Sequence, residues 1–273
     1  MTADIQTATW GAAIAAKLAA NEARLRTAWQ ASGPVRHCYL DGLLSEEDAH
    51  RIWNSLPDPA TLQLRDTAKE RKRVGIKLEN YAPEMSAILF AFQDPAVIQA
   101  VHRITALEGM EADASLYGSG VSLMAEGDFL LPHLDNSHDG DGKRYRVLNT
   151  LYYVTPDWPE DNGGNLELWD HSMKERVEVH ARFNRLVLME THTDSIHSVN
   201  KVTVPGGLRA CISNYYFSTT PANKKEHIHK TTFFARPEDG TARKLALKLE
   251  GTAKNFLSKF LGNGVHRTKH RRP

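Results

Sequence analysis

The first third of the chain carries apolar residues at helical spacing. Trp10, Ile14, Leu18, Leu25 and Trp29 recur at intervals of three or four residues, or at multiples of these, among many alanines. This pattern predicts one long amphipathic helix, which ends at the Gly-Pro step that follows.

Two further helices are predicted from their starts. The segment Ser45–Asp48 resembles a capping box, and it opens a helix through Ile52 and Leu56 that Pro57 stops. Asp94-Pro95 opens another helix, with proline in its first turn. The first 110 residues are therefore predicted to be largely helical.

The pattern changes between residues 114 and 236, where short runs rich in Val, Leu, Ile, Tyr and Phe alternate with turn clusters. Many short strands with frequent turns predict a sandwich or barrel. A last helix is predicted over residues 242–261. We expect one integrated α+β domain with a mainly β core, divided into a helical region (1–110), a β core (111–238) and a basic helix and tail (239–273). The predicted strands include Val147–Thr155, Asn165–Trp169, Arg185–Glu190, Val199–Val204 and Cys211–Ser218.

Composition narrows the class of protein. The 34 Lys and Arg residues balance 33 Asp and Glu residues, so no overall field favours nucleic acid or a membrane, and neither partner is expected. The basic residues gather in the last 33 positions, where nine stand against one acid. Only two cysteines are present, which excludes a disulfide scaffold and a four-cysteine zinc site. This count, with no apolar run of 18 residues and no signal-peptide pattern at the start, favours a cytoplasmic location.

A candidate metal site lies in the predicted β core. Residues two apart in a strand face the same side, so His133 and Asp135 can point at one atom. His197 follows 62 residues later. Two imidazoles and one carboxylate on one face of a metal leave three positions open, which is the arrangement of non-haem Fe(II) oxygenases.

A candidate carboxylate-binding group follows the third predicted ligand. Arg209 stands 12 residues after His197, beyond a Pro-Gly-Gly turn that can lay its strand beside that of the histidine. A guanidinium inside a barrel needs an anionic partner, and the distal carboxylate of 2-oxoglutarate fits its planar two-point geometry. Ser213 falls on the same face of the strand and can donate a hydroxyl hydrogen bond.

From about Ala114 to Pro237 the sequence resembles the prolyl-4-hydroxylase-like branch of the Fe(II)/2-oxoglutarate-dependent oxygenase superfamily. The resemblance implies a double-stranded β-helix, a jelly-roll or cupin-like barrel, flanked by N-terminal helices and a C-terminal helix. It rests on His133–Asn136, Tyr152–Trp158, Gly163–Trp169, His197–Val199 and Arg209–Phe217.

The resemblance also implies a set of site residues and cofactors. The iron ligands of the family fall on His133, Asp135 and His197, and its co-substrate arginine and tyrosine fall on Arg209 and Tyr152. Ser213 stands where the family has a small hydroxyl residue. The implied cofactors are Fe(II), 2-oxoglutarate as co-substrate and O2, with ascorbate as a candidate reductant.

Other residues are candidates for the pocket. Arg146, Asn149 and Thr150 lie on the strand of Tyr152, and strict alternation with an inward Tyr152 favours Arg146 and Thr150 over Asn149. Asn136 follows the first metal motif. The charge run of residues 69–73 is either a solvated surface or a substrate-access flap.

Three functions remain open. The first is a dioxygenase that hydroxylates an unactivated C–H bond of a small molecule, such as an amino acid or a pathway intermediate, and releases succinate and CO2. The second is a peptidyl or protein hydroxylase of the prolyl type. The third is a non-catalytic barrel that binds a metal or ligand. A closed, polar pocket favours the first function, and an open groove with hydrophobic lips favours the second.

Overall fold

The structure of the protein is a computed structural model that describes residues 3–75, 80–247 and 249. Its first predicted helix is two helices, because the chain turns at Asn21. The side-chain amide of Asn21 donates to the carbonyl of Lys17 at 2.9 Å and so ends the first helix. The longer helices are α1 (Ala3–Ala20), α2 (Glu22–Ala31), α3 (Glu46–Asn54), α4 (Pro83–Ala91) and α5 (Pro95–Thr105).

The two helix starts predicted from caps are confirmed. The hydroxyl of Ser45 accepts from the backbone N–H of Asp48 at 3.1 Å, at the start of α3. The carboxylate of Asp94 accepts from the N–H of Ala96 at 2.7 Å, at the start of α5. Each cap satisfies one of the N–H groups that have no partner within the first helical turn.

The strands form one curled antiparallel sheet. Neighbouring strands follow the order β1-β9-β6-β11-β4-β3-β5-β10-β7-β8, while β12 pairs with β5 and β2 pairs with β3. The strands are β1 (His37–Asp41), β2 (Gln63–Asp66), β3 (Glu70–Gly75), β4 (Gly120–Ala125), β5 (Phe129–Leu134), β6 (Tyr145–Tyr153), β7 (Leu166–Trp169), β8 (Arg176–Val179), β9 (Arg185–Glu190), β10 (His197–Val199), β11 (Leu208–Ser218) and β12 (Thr232–Phe233).

Three of these strands, β1, β2 and β3, lie in the part of the chain that was predicted to be largely helical. β1 pairs with β9, and β3 pairs with both β4 and β5. These paired residues are at least 46 positions apart in the sequence, so the pairing of β1 and β3 with the core is set by tertiary contacts rather than by local pattern. The predicted strand Val199–Val204 is also shifted, because the ladder holds residues 197–199 instead.

The helices cover one face of the sheet. α1 packs against α4 and α5, and this layer shares an apolar core with the outward side chains of β6 and β11. Leu148, Tyr152, Ile212 and Tyr216 belong to this core and are fully buried. The opposite face of the same strands therefore faces the interior of the curled sheet.

The predicted C-terminal helix is described only in part. Residues 241–247 are helical, and most of the basic segment 239–273 lies outside the described residues. No helix in the described ranges has the length and apolar character needed to cross a membrane.

Candidate active site

The structure brings the three predicted metal ligands together. His133 is near the end of β5, and Asp135 follows that strand on the same face. His197 begins β10 and lies directly opposite His133 in the antiparallel pairing. The ring centroids of the two histidines are 4.2 Å apart, and one candidate ligand atom from each of the three residues lies within 4.8 Å of the others.

Backbone carbonyls orient both imidazoles. Nδ1 of His133 lies 3.0 Å from the carbonyl oxygen of Leu131, and Nδ1 of His197 lies 3.0 Å from that of Ser195. Because a carbonyl can only accept, Nδ1 carries the proton in each ring. Nε2 therefore presents a lone pair towards Asp135, at 3.6 Å from Oδ1 for His133 and 3.8 Å from Oδ2 for His197.

The protonation states suit a cation. Burial lowers the pKa of His197 to about 4, with the neighbouring His133 as the second cause, so this imidazole is neutral at neutral pH. Burial alone would raise the pKa of Asp135, but Arg146 and the two histidines hold it well below its usual range. A neutral imidazole and an ionised carboxylate are the metal-binding forms of these groups. The donor set therefore fits a divalent cation.

Two side chains of β6 hold the carboxylate of Asp135. Nη1 of Arg146 lies 3.2 Å from Oδ2, and the side-chain amide of Asn149 donates to the same oxygen at 3.0 Å. The guanidinium of Arg146 also stacks 3.9 Å from the ring centroid of Tyr215. Arg146 and Asn149 thus fix the orientation of one candidate ligand from behind.

A bulge explains why these two residues share a face although they are three apart. The pairing of β6 with β11 shifts its register between Tyr216 and Phe217. Such a shift interrupts the alternation of side chains, so Arg146 and Asn149 both reach the interior. This corrects the expectation that Thr150 would be favoured over Asn149: the hydroxyl of Thr150 instead lies 3.5 Å from the carbonyl of Asn214.

The structure does not bring Tyr152 to this site. Its hydroxyl donates to Oδ1 of Asn184 at 2.9 Å, and its ring lies 6.0 Å from that of Phe92 in the helix-facing core. The next residue, Tyr153, faces the interior, where its ring centroid lies 4.7 Å from the guanidinium carbon of Arg209. This corrects the sequence expectation by one residue, because adjacent residues in a strand point to opposite faces.

Arg209 is buried without an acidic partner among the described residues. Arg209 is only 3% exposed, and its Nε donates to the carbonyl oxygen of Gly164 at 3.0 Å. Within the described ranges, no carboxylate oxygen lies within 4.0 Å of the guanidinium. The buried hydroxyl of Tyr153 also makes no well-formed hydrogen bond to a described residue. A buried guanidinium with a tyrosine hydroxyl beside it fits the carboxylate of a ligand.

Gly164 allows Arg209 to lie where it does. The backbone of Gly164 has φ +70°, and a Cβ there would lie 3.0 Å from Cγ of Arg209. Only glycine adopts this conformation at low cost and leaves that space open. The Gly-Gly turn between β6 and β7 therefore shapes the binding position around Arg209.

A cavity of about 400 Å³ opens beside the three candidate ligands. Asn136, Arg146 and Ser213, three of the predicted pocket residues, line it. Arg209 lies beyond the cavity wall, four residues from Ser213 on β11 and on the same face of that strand. The wall is mainly polar, and its residues are Arg65, Glu70, Lys72, Val74, Gly75, Tyr117–Ser122, Leu130, His133, Asp135, Asn136, Arg146, Ser213, Tyr215, Thr231 and Phe233.

Comparison with known proteins agrees with this geometry. A sequence model of the 2OG-Fe(II) oxygenase superfamily matches residues 119–217, a segment that contains all three candidate metal ligands and Arg209. The match covers a little over a third of the chain, and this segment is similar to the 2OG-Fe(II) oxygenase superfamily. Comparison with curated protein sequences finds no match.

Solved structures similar to this oxygenase include several prolyl hydroxylases. A Trichoplax adhaerens prolyl hydroxylase in complex with a hypoxia-inducible-factor peptide is 18% identical, with a TM-score of 0.55 over 74% of this chain and 91% of its own. A Pseudomonas putida prolyl-4-hydroxylase is 16% identical, with a TM-score of 0.54 over 71% and 98%. A Phytophthora capsici prolyl 4-hydroxylase is 16% identical, with a TM-score of 0.53 over 95% and 81%. At this identity the likeness establishes the fold.

The predicted fold and enzyme class are therefore confirmed. The curled sheet is a double-stranded β-helix similar to that of these prolyl hydroxylases, and the matched family model indicates an oxidoreductase of the dioxygenase class. The superfamily uses Fe(II), 2-oxoglutarate and O2, and the oxygenase has a His-Asp-His cluster suited to the metal. The use of ascorbate stays a prediction.

Sequence reasoning missed several cavity residues of the oxygenase. Tyr117 and Tyr215 line the cavity, and Glu70 and Lys72 reach it from β3, a strand that the pattern did not predict. The charge run gives no period-two signal for β3, because all five of its residues are charged. Once the strand forms, alternation places Glu70 and Lys72 on one face and Arg71 and Arg73 on the other.

Proposed function

We propose that this oxygenase hydroxylates a C–H bond of a small molecule, with His133, Asp135 and His197 as the metal ligands. Arg209 and Tyr153 would bind the distal carboxylate of 2-oxoglutarate, and Ser213 would line the same pocket. One oxygen atom of O2 would enter the substrate as a hydroxyl group and the other would enter succinate, with release of CO2. A cytoplasmic location, supported by the cysteine count, forms part of the same proposal.

The observation that carries this proposal is the buried guanidinium of Arg209. It has no carboxylate partner in the described ranges, although it lies on the interior face of the sheet that also carries the three candidate ligands. An unpaired charge in such a place is costly to the fold unless a bound anion compensates it. A dicarboxylate that chelates the metal at one end would supply that anion at the other.

The cavity favours a small substrate over a peptide. Its volume is about 400 Å³, within the range of small-molecule sites, and most of its wall is polar. A groove for an extended peptide would be expected to expose hydrophobic lips along its length. The prolyl-hydroxylase fold makes a peptidyl substrate the competing assignment, and the experiment below separates the two.

The residues around the candidate metal position would have separate roles in the proposed reaction. Fe(II) with 2-oxoglutarate supplies the oxidation of the C–H bond. The carbonyls of Leu131 and Ser195 keep both imidazoles in the form that offers Nε2 to the metal. Arg146 and Asn149 hold Oδ2 of Asp135, which fixes the orientation of the carboxylate. The protein thereby pre-organises its ligands before the co-substrate binds.

An anaerobic experiment tests the site. The apo protein is loaded with Fe(II), 2-oxoglutarate is added, and the visible charge-transfer absorption of the chelate is recorded. We expect the band in the unmodified protein and its loss in His197→Ala. If folded protein with bound Fe(II) gives no band, the site assignment is wrong and the non-catalytic barrel takes its place.

A second experiment tests the substrate class. Succinate release is measured with a panel of small molecules and with a panel of proline-containing peptides. We expect stimulation by a member of the first panel. Stimulation by peptides alone would show that the oxygenase is a peptidyl hydroxylase.

A further inference from the structure

The strand β3 forms a charged wall of the cavity. It bridges two core strands, because Val74 lies opposite Ser122 of β4 and Glu70 lies opposite Leu130 of β5. Glu70, Lys72 and Val74 face the cavity. The alternate residues of the strand face away from it, so the charge run of residues 69–73 has two distinct sides.

The outward side of the run is satisfied by an acid of the core. Arg71 and Arg73 lie 3.5 and 3.7 Å from the buried carboxylate of Asp128. These contacts fasten β3 to the turn between β4 and β5. The outward charges are therefore matched by a group that does not face the cavity.

The inward side places one carboxylate between two cations. Nζ of Lys72 lies 3.0 Å from Oε2 of Glu70, and the side chains of both residues are only 15% exposed. Arg65, on the neighbouring strand β2, also lines the cavity. Its Nη1 lies 3.8 Å from Oε1 of the Glu70 carboxylate. Burial opposes ionisation of Glu70, yet Lys72, Arg65 and His133 together lower its pKa, so the group is charged.

These charges leave the cavity one cation in excess. Arg146 is matched by Asp135, which also faces the candidate metal position. Glu70 can neutralise only one of Lys72 and Arg65. A ligand with one carboxylate and one ammonium group complements this arrangement, because its carboxylate can take the surplus cation and its ammonium can share Glu70. A doubly charged phosphate would instead be repelled by Glu70.

We propose that Arg65, Glu70 and Lys72 bind the charged end of a free α-amino acid and make it the substrate of this oxygenase. The carboxylate of the amino acid lies on Lys72 and Arg65, its ammonium lies on Glu70, and its side chain extends towards His133 and Asp135. A residue within a peptide has neither charge, so this site excludes peptidyl substrates. This inference rests on the proposed function and names its substrate class.

The test measures binding of amino acids to the anaerobic complex of the full chain with Fe(II) and 2-oxoglutarate. Each of the twenty proteinogenic L-amino acids is added, and the shift of the charge-transfer band is recorded. We expect at least one amino acid to shift the band. We expect its N-acetyl and carboxamide derivatives to bind at least about tenfold more weakly, because each derivative lacks one of the two charges.

Variants assign the effect to the three residues. Lys72→Met and Glu70→Gln are expected to weaken binding of the responding amino acid by about 10- to 100-fold, as expected for the loss of a charge-assisted hydrogen bond. Arg71→Met is the matched control, since this residue lies next to both on the same strand and faces away from the cavity, and Arg73 still holds β3 to Asp128 in this variant. It should bind the amino acid like the unmodified protein.

Thermal unfolding of the same proteins with Zn(II) and 2-oxoglutarate provides a second readout that requires no oxidation chemistry. The responding amino acid should raise the midpoint temperature of the unmodified protein and of Arg71→Met, and not those of Lys72→Met and Glu70→Gln. The unfolding transition of each variant without amino acid also shows whether that variant is folded.

Several outcomes would overturn the inference. One such outcome is a charge-transfer band that forms normally but that no amino acid shifts. The proposed oxygenase site would then stand, and the proposed amino-acid site would be wrong. Equal binding of the blocked derivatives or of peptides would also contradict it. If Lys72→Met changed only the concentration of 2-oxoglutarate required, Lys72 would belong to the co-substrate site. A missing band would defeat the proposed function instead, and the Zn(II) measurement would still decide the amino-acid site.

Discussion

The two faces of strands β6 and β11 are built in opposite ways. The helix-facing side is mainly apolar, and most of its polar groups bond within the protein, as where Tyr216 donates to the carbonyl of Phe92 at 2.5 Å. The interior side carries the charged groups Arg146 and Arg209, and Asn149, and its polar atoms include several without partners among the described residues. The first face is built for packing, and the second is built to bind ligands. Substitutions on the first should therefore change stability, and substitutions on the second should change binding and turnover.

Asp135→Ala is expected to have the largest effect of any single change. It removes the only carboxylate of the candidate triad, so coupled turnover should fall by at least about a thousandfold. Metal titration and succinate release measure the effect. Asp139→Asn is the matched control, because Asp139 binds Arg144 outside the cavity at 2.8 Å and should leave turnover intact. If Asp135→Ala retained turnover, Asp135 would not be a metal ligand.

Phe92→Ala tests the helix-facing side. Phe92 is 1% exposed and packs in the core shared by the helices and the sheet. Loss of a buried phenyl ring should lower the free energy of unfolding by about 3–5 kcal/mol. Chemical denaturation measures this change. The concentration of 2-oxoglutarate required by the folded fraction should not change, and a large change would show that the two faces are coupled.

Arg209→Met sharpens the contrast from the interior side. Loss of the guanidinium should weaken 2-oxoglutarate binding by about 100-fold or more. The ligand-free protein should keep its stability, because an uncompensated buried charge is removed. Arg185→Met is the control: Arg185 is also a buried arginine, but its Nε and Nη2 donate to the carboxylate of Asp41 at 2.6 and 2.9 Å. That variant should lose stability and keep its affinity for 2-oxoglutarate, and the opposite pattern would contradict the assignment of Arg209.

The sequence was sufficient where chemistry depends on local spacing. His133 and Asp135 are two apart, so a strand of either direction places them on one face. The caps at Ser45 and Asp94 are equally local, and they formed as predicted. The position of His197 opposite His133 is not local, and it was inferred from the resemblance together with the residue types.

The failures have two origins. β1 and β3 were missed because their ladders form with strands far along the chain. Tyr152 was placed on the interior face by the resemblance and Thr150 followed it by alternation, whereas β6 has the opposite phase there and Arg146 reaches the interior through the bulge. Neither the distant partner nor the bulge leaves a mark in the hydrophobic pattern of the segment itself. The polar residue Asn149 was the one local hint, because it lies four residues before Tyr153 and strand alternation places these two residues on one face.

The tandem Tyr152-Tyr153 gives the finest test of the two faces, because the same substitution can be made at adjacent positions. Tyr152→Phe removes a buried hydrogen bond to Asn184, so the free energy of unfolding should fall by about 1 kcal/mol while 2-oxoglutarate binding is unchanged. Tyr153→Phe removes a hydroxyl that has no well-formed partner in the described structure, so stability should hold. Its 2-oxoglutarate binding should weaken by about tenfold, because a donor to the carboxylate is lost.

Denaturation and anaerobic titration of both variants measure the two effects in parallel. The crossed pattern, with stability lost in one variant and affinity lost in the other, follows only if the two tyrosines point to opposite faces and the interior face binds the co-substrate. If Tyr152→Phe weakened 2-oxoglutarate binding and Tyr153→Phe did not, the family tyrosine would fall on Tyr152 after all, and the register of β6 would have to shift by one residue when the ligand binds. That shift would turn the whole helix-facing row of the strand inward, at the cost of its apolar contacts, and it would appear as a large loss of stability in the ligand-bound state.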